Sequence, residues 1–171
     1  MRKFIILLLI LFVSPNLFSQ DDYVKLLQAK TQNPCYIINK NVIGNEYLIK
    51  SLANSEEELK EKIDEIYVLI NKGDRESNRY YNLTEHGILL VDLKVSIASK
   101  TQSELKKFFG FGEHNKIYID GYLLENKNYR IALTGITEIE IIEPDNANGL
   151  KNKALNIWTL SKNERYSEET H

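Results

Sequence analysis

The chain has 171 residues, with 22 Lys and Arg against 24 Asp and Glu and a single cysteine. Charges this nearly balanced, with no basic stripe interleaved with aromatic residues, argue against nucleic acid as a partner. One cysteine cannot close an internal disulfide, so stability is expected from an ordinary apolar core and not from a cross-linked scaffold.

Arg2 and Lys3 give a short positive start, and Phe4 to Val13 is wholly apolar, the n-region and h-region of a signal peptide. A membrane-spanning helix needs roughly 20 apolar residues, whereas this run is broken at Ser14, Pro15 and Asn16. An exported protein is therefore expected, cleaved between Ser19 and Gln20 or one bond later, with residues 1–19 as leader. Its destination is the periplasm, the outer membrane's surface or the medium, with no membrane insertion after cleavage. Cys35 lies too far downstream to anchor a lipid. The remaining stretch of about 150 residues suits one domain or two small units sharing a core.

Asp21 to Lys30 is predicted as a short helix with Val24, Leu26 and Leu27 on its apolar side, so residues 20–33 form a helical lead-in that Pro34 ends. Cys35–Ile38 is strand-prone, Asn39-Lys40-Asn41 is a turn, and Val42-Ile43 resume beyond it. Ser55-Glu56-Glu57-Glu58 has capping-box spacing, predicting a helix to Lys62 followed by a strand from Asp64 to Ile70. Asn71 to Asp74 is a turn, a polar loop runs to Asn82, and the nearly continuous apolar run Gly87–Leu93 is expected as a central strand. Thr101-Gln102-Ser103-Glu104 repeats the capping spacing, with Leu105, Phe108 and Phe109 as the apolar face and Gly110 as the stop. Ile117-Tyr118-Ile119 is a strand entering the Asp120-Gly121 turn, Glu138–Ile142 and Ala154–Leu160 are the last strands, and residues 163–171 are a polar tail.

Two halves of the chain carry one series of pieces. Ile37-Ile38-Asn39-Lys40 lines up with Tyr118-Ile119-Asp120-Gly121, Ile63 to Leu69 with Ile136 to Ile142, and His86 to Val91 with Lys153 to Trp158. In this order the pieces resemble the plug domain of TonB-dependent outer-membrane receptors, in which a V-D-G turn precedes an I-x-x-I-E-V strand and a glycine-bearing loop leads into a last apolar strand. The second half matches better, through Ile119-Asp120-Gly121, Ile136 to Ile142 and Gly149 to Thr159. The resemblance implies an α+β fold of two tandem plug-like βαββ units, residues 34–98 and 99–162, with small mixed sheets and short helices. It implies a non-enzymatic module docking on an envelope protein, with components of a TonB-dependent system among the partners to consider. No barrel sequence and no clear TonB-box segment accompany the plug-like pieces, so transport by this chain alone is not expected. Asp120 and Gly121 carry a structural role as the tight turn, where Gly accepts positive φ.

No catalytic, cofactor-binding or metal-binding residue stands out. His86 and His114 lack a second His at ligand spacing, Gly110-Phe111-Gly112 lacks the lysine of a phosphate loop, and Cys35 has no nucleophile signature around it. Glu138 and Glu140 alternate as the wet face of a half-buried strand does. The competing reading, a small secreted hydrolase or enzyme inhibitor, requires His86, His114, Asp92, Glu113 and Asp120 to converge in at least a pair. Ten tyrosines include Tyr80, Tyr81, Tyr118, Tyr122 and Tyr129 as candidates for a contact surface, because Tyr joins area to a polar tip.

Overall fold

The computed structural model describes residues 23–29, 33–70 and 78–165. The signal-peptide segment, the Asn71–Asp74 turn and the end of the polar tail lie outside the described residues.

Two mixed sheets and short helices make an α+β fold. The first hairpin joins β1 (Cys35–Ile38) to β2 (Val42–Gly44) through Asn39 and Lys40 at φ 47° and 71°. Two successive left-handed residues are the turn whose twist matches that of paired strands. Helix α1 (Glu46–Lys50) follows, capped by the Asn45 side chain, and then α2 (Glu56–Lys62), capped by Ser55. Helix α2 runs without a loop into β3 (Ile63–Leu69), which pairs antiparallel with β4 (Ile88–Leu93). Strand β4 in turn lies parallel to β1. The six-stranded sheet is completed by β5 (Ser99–Thr101) and β8 (Arg130–Ala132), in the order β3-β4-β1-β2-β8-β5. Between β5 and the second hairpin lies helix α3 (Gln102–Phe108), which has the full capping box of Thr101 and Glu104.

The second sheet has the order β7-β6-β10-β9, from β6 (Lys116–Ile119), β7 (Tyr122–Leu123), β9 (Glu138–Ile142) and β10 (Ala154–Trp158). Its hairpin β6-β7 turns at Asp120 and Gly121, φ 49° and 89°. Strand β10 is parallel to β6 and antiparallel to β9. The series β3-β4-β1-β2 and β9-β10-β6-β7 thus share strand order and strand sense. They share a lock as well. Asn39 N–H donates to Val91 O while Asn39 Oδ1 accepts from Leu93 N at 2.7 Å. Asp120 N–H donates to Ile157 O while Asp120 Oδ1 accepts from Thr159 N, also at 2.7 Å. In both, the first turn residue clamps the end of the neighbouring parallel strand.

These pairings correct one alignment. Val91 lies opposite Ile38 and Ile157 opposite Ile119, so Val91 corresponds to Ile157, one residue away from the Val91–Trp158 correspondence read from sequence. A one-residue slip exchanges sheet faces, and β10, buried at every position, has no alternation that would reveal it.

The predicted lead-in helix is also corrected. Residues 23–29 hold an extended piece and a turn: Lys25 bridges to Tyr122, Leu26 N–H donates to Gly121 O at 2.8 Å, and Leu123 N–H donates to Val24 O at 2.9 Å. So short a helix has little stability alone, while the outer edge of β7 offers backbone partners. At Ser55 the capping box is shifted: the hydroxyl accepts from Glu58 N, but the Glu58 carboxylate reaches Asn54 N–H. Phe108 leaves the expected apolar face and is 81% exposed, while Leu105 alone of that set is buried.

One core lies between the sheets. Ile37, Ile43, Ile88 and Ile131 from the six-stranded sheet meet Ile117, Ile119, Leu155 and Ile157 from the other, with Leu105 of α3 among them. On the other face of the six-stranded sheet, Ile38, Val42, Val91 and Ala132 are covered by Leu48 and Ile49 of α1.

Candidate functional site

The five tyrosines expected as a contact surface are all buried, which removes them as one. Tyr118, Tyr122 and Tyr129 are on or beside second-half strands, and Tyr80 and Tyr81 enter a 3₁₀ turn at Tyr81–Leu83. Tyr23 stacks on Tyr81 with ring centres 5.2 Å apart, and Tyr80 packs tilted on Tyr129 at 6.2 Å. Rings this large fill core edges well. Burial raises the Tyr118 hydroxyl and pushes that of Tyr129 well above the ordinary phenol range.

The groups required by the hydrolase reading sit on separate elements. Asp92 is on β4 opposite Glu65. Glu113 and His114 occupy an exposed turn before β6. Asp120, fully buried, accepts from Thr159 N, from Thr159 Oγ1 at 2.6 Å and from Leu160 N, which makes it a strand lock. Among the described residues no group of three or more His, Cys, Asp or Glu is placed to hold a metal ion.

A cluster that the sequence did not signal surrounds Glu85. Its carboxylate accepts from Lys25 Nζ at 2.6 and 2.8 Å and from the Tyr122 hydroxyl, and His86 Nε2 lies 3.8 Å away. Burial raises the Glu85 pKa, but the Lys25 ammonium and the Tyr122 hydroxyl outweigh it and hold the carboxyl below its usual range. Tyr122 is pushed far up, by burial first and by Glu85 next, so it remains a donor. The cluster fastens residues 23–26 to the body. Asn82 helps, accepting from Val24 N and donating to Val24 O and Leu123 O.

An open groove of about 600 Å³ is lined by Pro34, Tyr36, Tyr47, Thr137, Leu160 and Glu164 among others. Its polar lining is occupied in holding the fold. Asn45 donates to Gly135 O and Thr159 O, Thr137 Oγ1 sits within hydrogen-bond reach of Trp158 O and Leu160 O and donates to one of them at a time, and Lys50 pairs with Glu46 at 2.7 Å. Burial, then the Glu46 and Glu164 charges, raise the Tyr36 hydroxyl.

The outer edge of β3 is different. This strand ends the six-stranded sheet and pairs only with β4 among the described residues. Ile66 is 54% exposed, Tyr67 51% and Val68 64%, and Ile70 just beyond is 75% exposed. Apolar side chains therefore stand on both faces of a strand whose outer row of backbone groups meets no second strand among the described residues. Native edges are normally kept short, charged or covered. The only such device along β3 is at its start, where the pairing slips between Ile63 and Glu65 and Asp64 and Glu65 are exposed.

No family model, no curated protein and no solved structure matches the chain. No helix of the described residues is long and apolar enough to cross a membrane.

Proposed function

We propose that the protein is a non-catalytic, exported binding module, plug-like in the sense of its sequence resemblance, that docks on another envelope protein by taking a strand of that partner onto the edge of β3. The observation that carries this reading is the run Ile66-Tyr67-Val68, exposed in succession on an edge strand. In strand addition the backbone supplies most of the affinity, and alternate side chains supply selectivity. Burying the exposed parts of Ile66, Val68 and Ile70 adds about 1 kcal/mol or more per side chain at the usual area coefficient. The apparent duplication supports a binding role, since two copies of a sheet unit that share one core make a rigid platform for an edge.

The test is cross-linking of the tagged mature chain to envelopes of its own cell, with mass spectrometry of the products, beside an Ile66→Lys/Val68→Lys variant. One envelope protein recovered with the wild type and lost with the variant supports the proposal. If every protein recovered is unaffected by the variant, docking through β3 is refuted.

A further inference from the structure

We infer that the tip made by the end of α3 and the turn into β6 is a membrane-surface contact, in which Phe108 dips into the headgroup layer of an anionic bilayer and the lysines around it meet lipid phosphates. This surface is separate from β3, and the inference does not depend on docking there. Phe108 is the most exposed large apolar side chain among the described residues, at 81%. Its neighbours hold it outside. Phe109 and Phe111 pack against the core, Gly110 between them takes φ 70°, and Phe109 supports Phe108 edge-on with ring centres 5.0 Å apart. Phe111 N–H donates to Lys106 O at 2.8 Å and Lys106 Nζ donates to Glu113 O at 2.9 Å, so the turn beneath the ring is braced.

The charge at this end is positive, although the whole chain carries a formal net charge of −2. Lys106 and Lys107 are in the last turn of α3, and Lys116 opens β6. Asn115 donates to Lys153 O at 2.8 Å, which brings the exposed Lys151 and Lys153 to the same end. The carboxylates there are Glu113 and Glu143, and Glu143 is held by Lys153 at 2.6 Å. Lysines in a last helical turn also complement the helix end, but that role does not call for a phenyl ring in water. The size of the apolar part selects the occupant. A stable protein interface covers about 800 Å² on each partner, whereas one phenyl ring offers about 150–250 Å², and Phe109 and Phe111 beside it are already half-buried. A bilayer surface asks only that an apolar tip reach the acyl boundary and that basic residues lie at headgroup level.

The probes are vesicles of phosphatidylcholine, alone or with about one-third phosphatidylglycerol, co-sedimented with the mature chain. Binding is expected to favour the anionic vesicles and to weaken when the Debye length is cut to about 3 Å in 1 M salt. Lys106→Gln/Lys107→Gln should lower the affinity roughly fivefold for each lysine, and Phe108→Ser should lower it about tenfold or more. Phe108→Ser alters an exposed side chain, and a urea midpoint equal to that of the wild type shows that it folds. In Phe108→Trp, fluorescence of the new indole should be quenched by lipids brominated near the headgroup, while Trp158, only 2% exposed, gives a constant background. Absence of binding to the anionic vesicles, or equal binding to both kinds, overturns the proposal. Binding that Phe108→Ser leaves unchanged, or Phe108→Trp without quenching, overturns it too, because the contact would then be adsorption by charge alone.

Discussion

Replacing Asp120 tests the shared architecture most directly. Its carboxylate is fully buried and takes hydrogen bonds from Thr159 N at 2.7 Å, Thr159 Oγ1 at 2.6 Å and Leu160 N at 3.4 Å. Hydrogen bonds to charged groups contribute about 1.5–3 kcal/mol each, and a buried donor left unpaired costs a further share. Asp120 also sits at φ 49°, which costs an ordinary L-residue about 1–2 kcal/mol. Asp120→Ala is therefore expected to destabilise the protein by about 4 kcal/mol. Asp120→Gly removes the backbone strain and is expected to cost about 1 kcal/mol less. Asp120→Asn retains an acceptor for Thr159 N, as Asn39 does for Leu93 N in the first half, and is expected to cost about 1–2 kcal/mol. The assay is urea unfolding of the mature chain; with a slope near 2 kcal/mol per molar, the Ala variant loses about 2 M from its midpoint. An Asn variant as unstable as the Ala variant, or a Gly variant no better than it, would refute the shared-lock reasoning.

Asn39→Asp keeps the acceptor for Leu93 N but loses the donor to Val95 O at 3.1 Å, so unfolding midpoints should place it about 1 kcal/mol below wild type. Glu85 has a depressed folded pKa against an ordinary value of 4.5, so the stability it lends is present above that value and disappears as pH falls through the lower folded one. Protection of the Leu26 and Leu123 amides, taken relative to their intrinsic exchange rates, should fall as the pH drops below 4.5, and Lys25→Met should flatten that dependence; identical pH profiles of protection would count against the anchor. A Cβ on Gly121 falls 2.4 Å from Ala29 Cα, whereas one on Gly110 meets nothing within 4 Å, and both glycines have positive φ. Gly121→Ala is accordingly expected to cost about 3 kcal/mol and Gly110→Ala about 1 kcal/mol in thermal or urea unfolding. Phe108→Lys, at an 81% exposed position, should move stability by no more than about 0.5 kcal/mol.

The hairpin turns were legible because Asn-Lys and Asp-Gly between apolar runs leave few backbone choices. The continuous apolar run of β4 marked it as an inner strand, whereas the helix end at Lys62 was less distinct, because Ile63, Ile66 and Ile70 suit a helical face as Ile66, Val68 and Ile70 suit a strand, and β3 starts at Ile63, one residue before the expected Asp64. Strands β5 and β8, three residues each, are too short for periodicity to register, and they form because the edge of β2 is there to be paired. The same holds for residues 23–26, whose helical pattern yields to the edge of β7. The tyrosines misled for a related reason. Exposure of a Tyr depends on which face of which sheet it occupies, and with two sheets sharing a core most such faces turn inward. The exposed stretch of β3 is the converse case, since an apolar run does not say whether the strand beside it comes from the same chain.

The two halves close corresponding edges with different material, and this narrows where a partner can bind. Strand β2 is covered by β8, and its counterpart β7 by residues 23–26. Strands β3 and β9 are left as the outer strands of their sheets. They have not remained alike. On β9, Glu138 is held by Arg165 at 2.8 Å, Glu140 accepts from Trp158 Nε1 at 3.2 Å, and Ile139 packs against the core. That strand is tied to its own body through both of its carboxylates. On β3 the residues matching Ile139, Glu140 and Ile141 are Ile66, Tyr67 and Val68, each more than half exposed, whereas of the three on β9 only Ile141 is strongly exposed, at 48%. An apolar edge with no second strand among the described residues favours aggregation unless something covers it, and the docking proposed for β3 would supply that cover. The strand that the second half secures with Arg165 and Trp158 corresponds to the one that the first half leaves exposed among the described residues.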